Sequence, residues 1–261
     1  MVQKIIGIVG GVGPYAGLDL TRKIFDQTVA RRDQEHVSVV LWSAPDEIGD
    51  RTEFVLGRSA TNPAGGIAAI VQRMEAAGAS YAAIACNTAH SPPIFDVITR
   101  ILRDGGSRIE LLNMVAEVVR FVREYHPAVA AVGVLATDGT MRSRVYTDGF
   151  ARAGIKVVYP DAEVQARKVL PAIYDLDYGI KAKSEPVTPR ARADLLDAAA
   201  HLFSKGAQAL VLGCTELPLA IDSDQIGGRV VIDPTLVLAR ALVERVAPER
   251  LKPLATATEP A

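Results

Sequence analysis

Two stretches set 128 residues apart place the tightest limit on how this chain can fold. Gly78–His90 reads Gly-Ala-Ser-Tyr-Ala-Ala-Ile-Ala-Cys-Asn-Thr-Ala-His, and Gly206–Pro218 reads Gly-Ala-Gln-Ala-Leu-Val-Leu-Gly-Cys-Thr-Glu-Leu-Pro. Both open with Gly-Ala, pass through a short apolar run and end in a cysteine followed by small polar residues. The offset is the same at both ends (206 − 78 and 214 − 86), and Cys86 and Cys214 are the two cysteines of the 261 residues. A weaker echo pairs Gly7 with Gly133 and Gly13 with Gly139 at an offset of 126. Two similar halves, each ending a buried strand in one thiol, can present two thiols to one ligand.

Each half alternates between strand-like and helix-like hydrophobic spacing. In the first, residues 4–9 are an alternating β-branched run halted by the glycine turn Gly10-Gly11-Val12-Gly13-Pro14, and residues 16–29 follow with helical period. A second strand is predicted at 36–42, then a long, partly helical loop at 43–62. Asn62-Pro63 reads as a capped helix start and Gly78 as its end. Strands at 81–86 and 108–113 enclose a helix opened by Ser91-Pro92-Pro93.

The order restarts with a strand at 129–136 and the turn Thr137-Asp138-Gly139-Thr140. A helix at 142–153, a strand at 156–159, a helix at 163–174 and a loop at 175–186 follow. Thr188-Pro189 starts the next helix, strands are predicted at 207–214 and 230–233, and the last helix at 234–246. The Pro/Ala/Thr tail beyond Leu251 lacks apolar periodicity and is expected to fray. Apolar strands between helices mean parallel sheets covered on both faces. The expected fold class is therefore α/β, with two similar parallel-sheet lobes related by internal duplication and the site in the cleft between them. With the chain crossing back at its end, residues 1–113 plus 234–261 form one lobe and 114–233 the other.

Composition narrows the partners. A formal net charge of −1 leaves no basic stripe for nucleic acid and no anchor for a membrane surface. The longest strongly apolar run, 128–136, falls far short of the roughly 20 residues that span a bilayer. The start runs directly into a strand without the regions of a signal peptide, and two isolated cysteines suit a reducing compartment, so a cytoplasmic protein is expected.

In parallel α/β sheets, ligands sit beyond the carboxyl ends of the strands. Those ends are Gly10–Pro14, Cys86–His90, Thr137–Thr140 and Cys214–Glu216, all at one edge. Backbone N–H groups in glycine turns and helix starts favour an anion, and the same setting is expected to lower a thiol pKa from about 8.5. Two tuned thiols on opposite faces of one carbon suggest inversion at that carbon, one removing a proton and the other returning one. No context for a pyridoxal phosphate lysine is evident, so a route without cofactor is the simpler reading. Neither cysteine has metal-finger spacing, and the full Gly-x-Gly-x-x-Gly fingerprint of dinucleotide binding is absent. His90, four residues after Cys86, reads equally as a tuner of that thiol or as a turn residue; His36, His126 and His201 read as ordinary surface positions.

With these residues in view, the chain resembles the pyridoxal-phosphate-independent Asp/Glu racemase superfamily. Cys86-Asn87-Thr88-Ala89-His90 and Gly213-Cys214-Thr215-Glu216 resemble its two signature motifs. Asp33-Gln34-Glu35-His36, Asp50-Arg51-Thr52, Leu135–Thr140 and Ile232-Asp233-Pro234 look like the aspartate racemase branch. The resemblance implies Cys86 and Cys214 as the two bases and a distal carboxylate held by Arg51 and Lys181, with Lys183 as a nearby alternative to the lysine. It implies that Asn87, Thr88, Thr137, Thr140 and Thr215 hold the α-carboxylate and amine, and that Val12 and Glu216 complete the pocket. Val12 stands where Met is usual and Gly17 where Thr is common, which is expected to widen the pocket; Glu216 stands where glutamate racemases have His. The implied function is racemisation of aspartate, with glutamate second, by a cytoplasmic homodimer that needs no cofactor and takes a small acidic amino acid. Two alternatives are a maleate isomerase-like enzyme with one Cys as nucleophile and a catalytically silent protein that binds acidic ligands.

Overall fold

Apolar residues that alternate sides of each strand are covered by helices above and below, and this builds two sheets. The computed structural model describes residues 4–254; the expected fraying at the end of the tail and the reading of the first three residues lie outside the described residues. In the first half, β1 (Ile5–Gly10), α1 (Pro14–Asp26), β2 (Ser38–Ser43), α2 (Arg51–Val55), α3 (Ala64–Ala76) and β3 (Ala79–Ile84) come in order. They are followed by α4 (Pro92–Asp104), β4 (Glu110–Leu111) and α5 (Met114–Tyr125). The second half opens with β5 (Ala131–Ala136), α6 (Asp138–Arg142), α7 (Val145–Ala151), β6 (Lys156–Val158), α8 (Ala162–Val164) and α9 (Leu170–Tyr174). It closes with α10 (Pro189–Ser204), β7 (Ala209–Gly213), α11 (Leu217–Ala220), β8 (Gln225–Ile226), β9 (Arg229–Ile232) and α12 (Pro234–Val246).

The duplication is carried into topology. One sheet has strand order β2-β1-β3-β4 and the other β6-β5-β7-β9-β8. All pairings are parallel except β8 with β9, so the second sheet repeats the first and adds one antiparallel edge strand. Pleating explains the layers: Ile6 and Ile8 of β1 face α1 and α12, while Val9 faces the side covered by α3 and α4. The second sheet sets Leu210 and Leu212 of β7 against α9 and α10, and Val211 against α5 and α7.

The two terminal helices are exchanged. α12, last in the second half, packs Leu238, Leu242 and Val243 on the first sheet with Leu20 and Ile24 of α1. In return α5 packs Val115, Val118 and Val122 on the second sheet. A buried charge cluster pins the exchanged helix. Asp233 caps α12, its Oδ1 accepting from the backbone N–H of Thr235 at 2.8 Å and of Leu236 at 3.2 Å, and its Oδ2 receives Lys23 of α1, which also donates to Asp19. The side chains of Lys23 and Asp19 are 11% and 3% exposed, and Arg22 shares Asp19 with the lysine at 2.8 Å. Lys23→Ala is expected to cost about 1–3 kcal/mol, because Asp19 keeps Arg22 at 2.8 Å while Asp233 loses its cation; urea unfolding of variant and wild type, followed by circular dichroism, measures it, and equal midpoints would refute the assignment.

Four details depart from the reading of the sequence. The predicted helix 142–153 is broken at Arg144, whose φ of 58° separates α6 from α7. The predicted helix 163–174 contains a π-type turn at Gln165–Val169, an inserted residue that helical periodicity does not reveal. The fourth strand of the first half shrinks to two residues. Gly17 does not widen the pocket: a Cβ there would sit 3.2 Å from both Gly10 Cα and Leu41 Cδ1, so it is small because α1 lies close on the sheet.

Candidate active site

The four strand ends at one edge of the two sheets enclose a cavity of about 240 Å³, below the range of drug-sized pockets and suited to a small metabolite. Its wall includes every site residue expected from the sequence: Val12, Arg51, Cys86, Asn87, Thr88, Thr137, Thr140, Lys181, Cys214, Thr215 and Glu216. Asp50, Thr52, Tyr174 and Gly213 complete it. Lys183, the alternative lysine, is not on the wall.

Local chemistry explains how each group arrives. Asp50 is the N-cap of α2, its Oδ1 accepting from the Glu53 N–H at 2.9 Å, which starts the helix and places Arg51 at its first position. Arg51 then donates to the Val12 carbonyl at 2.7 Å and the Gly49 carbonyl at 3.2 Å. Cys86 and Cys214 follow the ends of β3 and β7 by one or two residues, and each is 7% exposed. Behind Cys86, His90 donates from Nδ1 to the Cys86 carbonyl at 2.8 Å. Burial pulls the His90 pKa down to about 4, and the neutral ring braces the Cys86 backbone.

Two glycines are the contact points of the halves. A Cβ on Gly13, whose φ is +150°, would lie 2.2 Å from Glu216 Oε1. A Cβ on Gly139 would lie 2.9 Å from Thr52 Cα. The two belong to equivalent turns, and each seats a residue of the other half. Only a residue without a side chain admits that approach.

Across the cavity, three hydroxyls meet. Thr88 Oγ1 is 2.8 Å from Thr140 Oγ1 and 3.4 Å from Thr137 Oγ1, joining the first half to the second. Thr215 donates to the Ala85 carbonyl at 3.1 Å, also across the halves. Tyr174 was not expected; it stands just before the loop that carries Lys181, with its hydroxyl 3.5 Å from Thr52 Oγ1 and Lys181 Nζ 5.9 Å from its ring centre. Proximity in sequence to Lys181 was the signal that could have found it.

The charges are organised around Glu216. Its Oε1 accepts from Lys181 Nζ at 2.7 Å and its Oε2 from the Cys214 thiol at 3.0 Å. Burial works against the Glu216 charge, but attraction to Lys181 and the bonds from Cys214 and Lys181 outweigh it and hold the carboxyl below its usual range. The Lys181 pKa is raised: partial desolvation opposes its charge, and Glu216 more than compensates. Burial and the neighbouring Glu216 carboxylate push the Cys214 thiol well above its ordinary range. This corrects the expectation of a lowered thiol pKa at that position: α11 is a single turn of four residues, and a full carboxylate charge at hydrogen-bond distance exceeds any helix-end effect. Arg51 faces Cys86 instead; burial opposes the guanidinium charge, and Cys86 is the leading group that favours it.

Two buried polar atoms on the wall, Arg51 Nε and Asn87 Nδ2, meet no acceptor in the protein. Among the described residues no group of three or more His, Cys, Asp or Glu is placed to hold a metal ion, and no helix is long and apolar enough to cross a membrane.

Fold and site together define a two-lobed parallel α/β protein whose halves each contribute one cysteine to a single polar cavity. The sequence profile of the Asp/Glu/hydantoin racemase family matches residues 9–242. The chain belongs to that family of racemases, as the motifs implied. The structure of the aspartate racemase of Picrophilus torridus is 28% identical, covers 95% of this chain and 96% of its own, and superposes with a TM-score of 0.78. The broad specificity amino-acid racemase RacX of Bacillus subtilis is 26% identical over 245 residues, 92% of this chain and 96% of that protein. An aspartate racemase homologue from Pyrococcus horikoshii OT3 shares the fold at 24% identity, with a TM-score of 0.69 over 94% of this chain and 100% of the other.

Proposed function

We propose that this protein racemises an acidic amino acid, aspartate first and glutamate second, with Cys86 and Cys214 as the two bases. The observation that carries the substrate class is the pair of unpartnered buried atoms on the wall. Arg51 Nε and Asn87 Nδ2 are both donors without acceptor capacity. A buried donor left unpaired costs about 1–3 kcal/mol, so the wall favours an acceptor, preferably an anion, at each of two places. A dicarboxylic amino acid supplies both. Lys181 adds a cation, shared with Glu216, beside the distal carboxylate. The aspartate racemase neighbour and the broad specificity relative support amino-acid racemisation as the reaction.

In the proposed step, one cysteine thiolate takes the Cα proton and becomes a thiol, while the bond's electron pair moves onto the α-carboxylate as an enolate. The other thiol gives its proton to the opposite face of Cα and becomes the thiolate, so the product has the opposite hand and the charges balance. Donors fixed at the carboxylate matter most where that charge gathers. Glu216 holds Cys214 as a thiol, which suits it to give the proton and leaves Cys86, beside Arg51, to take one. The reverse direction exchanges the roles.

A circular-dichroism assay on a panel of L-amino acids, without added pyridoxal phosphate, tests the reading. Aspartate is expected to lose its signal, glutamate more slowly, and neutral amino acids hardly at all. Activity confined to neutral amino acids would overturn the substrate assignment.

A further inference from the structure

Tyr146 lies outside the cavity wall and reaches it through one side chain. It stands on α7, 0% exposed, with its ring stacked on Phe150 at 6.1 Å between centres. Its hydroxyl is 2.5 Å from Asn87 Oδ1. The phenol is the donor, so the carbonyl end of the amide faces it. Burial pushes the Tyr146 hydroxyl well above its ordinary ionisation range, which keeps it a donor. With Oδ1 turned to the phenol, Nδ2 is the end that Asn87 offers the cavity it lines, and Nδ2 is one of the two unpartnered donors.

We propose that Tyr146 is a positioning residue, whose phenol locks the Asn87 amide so that this wall takes the α-carboxylate of the bound amino acid and excludes its ammonium. The proposal rests on the cavity being an amino-acid site. An amide NH2 donates and cannot accept, whereas an ammonium carries only donors and needs acceptors. The ammonium is left to the acceptors on the wall, the hydroxyls of Thr88, Thr137 and Thr140 and the Glu216 carboxylate. Without the phenol Asn87 Oδ1 loses its donor, and turning the amide over to recover one would set Oδ1 against the carboxylate, one acceptor against another, with the Nδ2 bond lost.

Tyr146→Phe removes one oxygen atom and keeps the packed ring, so it tests the claim alone and combined with Asn87→Ala. For L-aspartate, KM is expected to rise roughly tenfold, the loss of one hydrogen bond to a charged group. Because negative charge gathers on that carboxylate in the transition state, kcat is expected to fall as well, by at least about threefold. In the Asn87→Ala background the same substitution should change KM by less than about twofold, because the amide it orients is gone. An unchanged KM, or an equal rise in both backgrounds, would overturn the proposal by reducing Tyr146 to a packing residue. The side-chain amide signals of Asn87 in the 15N-labelled protein give a readout that needs no turnover: they must move in Tyr146→Phe, and unmoved signals overturn the proposal. If they move while the wild-type protein leaves aspartate unracemised, the proposed function falls and the positioning role stands.

Discussion

Cys86→Ser and Cys214→Ser are each expected to lower aspartate racemisation by roughly 10²–10⁴-fold, the usual worth of a positioned acid or base. Inversion needs a proton removed on one face and delivered on the other, so losing either sulfur breaks the cycle even though the cavity persists. The two variants should still differ from a dead protein. In D2O, the thiolate that remains can exchange the Cα proton of whichever enantiomer presents it, without inversion. Proton NMR of each enantiomer, read beside the dichroism signal, separates the two events. Each variant should wash deuterium into one enantiomer, and the two variants into opposite ones. Near wild-type racemisation by either variant would end the two-base reading. Complete loss in one with full activity in the other would point to a single nucleophile, as in the maleate isomerase-like alternative.

Glu216→Gln is the second large effect. The Glu216 carboxylate accepts from the Cys214 thiol at 3.0 Å and raises its pKa, together with burial. Removing that negative charge without changing the side chain's size should lower the Cys214 pKa, because burial is then left as the chief influence holding it up. The sign is clear: a raised pKa means less thiolate at a given pH, so lowering it speeds alkylation at that pH and moves the alkylation profile toward acid. Iodoacetamide labelling across pH, in a Cys86→Ala background so that one thiol reports, measures the shift by mass spectrometry. An unmoved profile would show that burial alone holds the thiol. The same variant should slow the direction in which Cys214 gives its proton, since less of it carries one near neutral pH.

Much of the fold was legible from local signals. Asn62 does accept from the Ala64 N–H at 2.9 Å, Thr188 does cap α10, and Gly78, at φ +96°, ends the segment following α3. Such features are set by neighbours in the chain. The breaks at Arg144 and Gln165 were not legible, because the residues on either side keep helical spacing. For the site, motif residues indicated the wall, but their pairings were out of reach. Arg51 and Lys181 looked like equivalent cations for one carboxylate. The fold gives Arg51 to backbone carbonyls and Cys86, and gives Lys181 to Glu216.

Taken alone, the sequence determined that this chain has two similar halves, that each is a parallel α/β unit, and that each ends one central strand near a cysteine. Those properties follow from periodicity, turn residues and an internal offset, all of which act over short stretches. Tertiary structure decided which helix covers which sheet, why Gly13 and Gly139 bear no side chain, and why two cysteines in equivalent positions differ. Cys214 stands against a carboxylate and Cys86 against a guanidinium. Electrostatic strength in a buried cavity depends on separations of a few ångströms, and only the closure of one half on the other sets those separations.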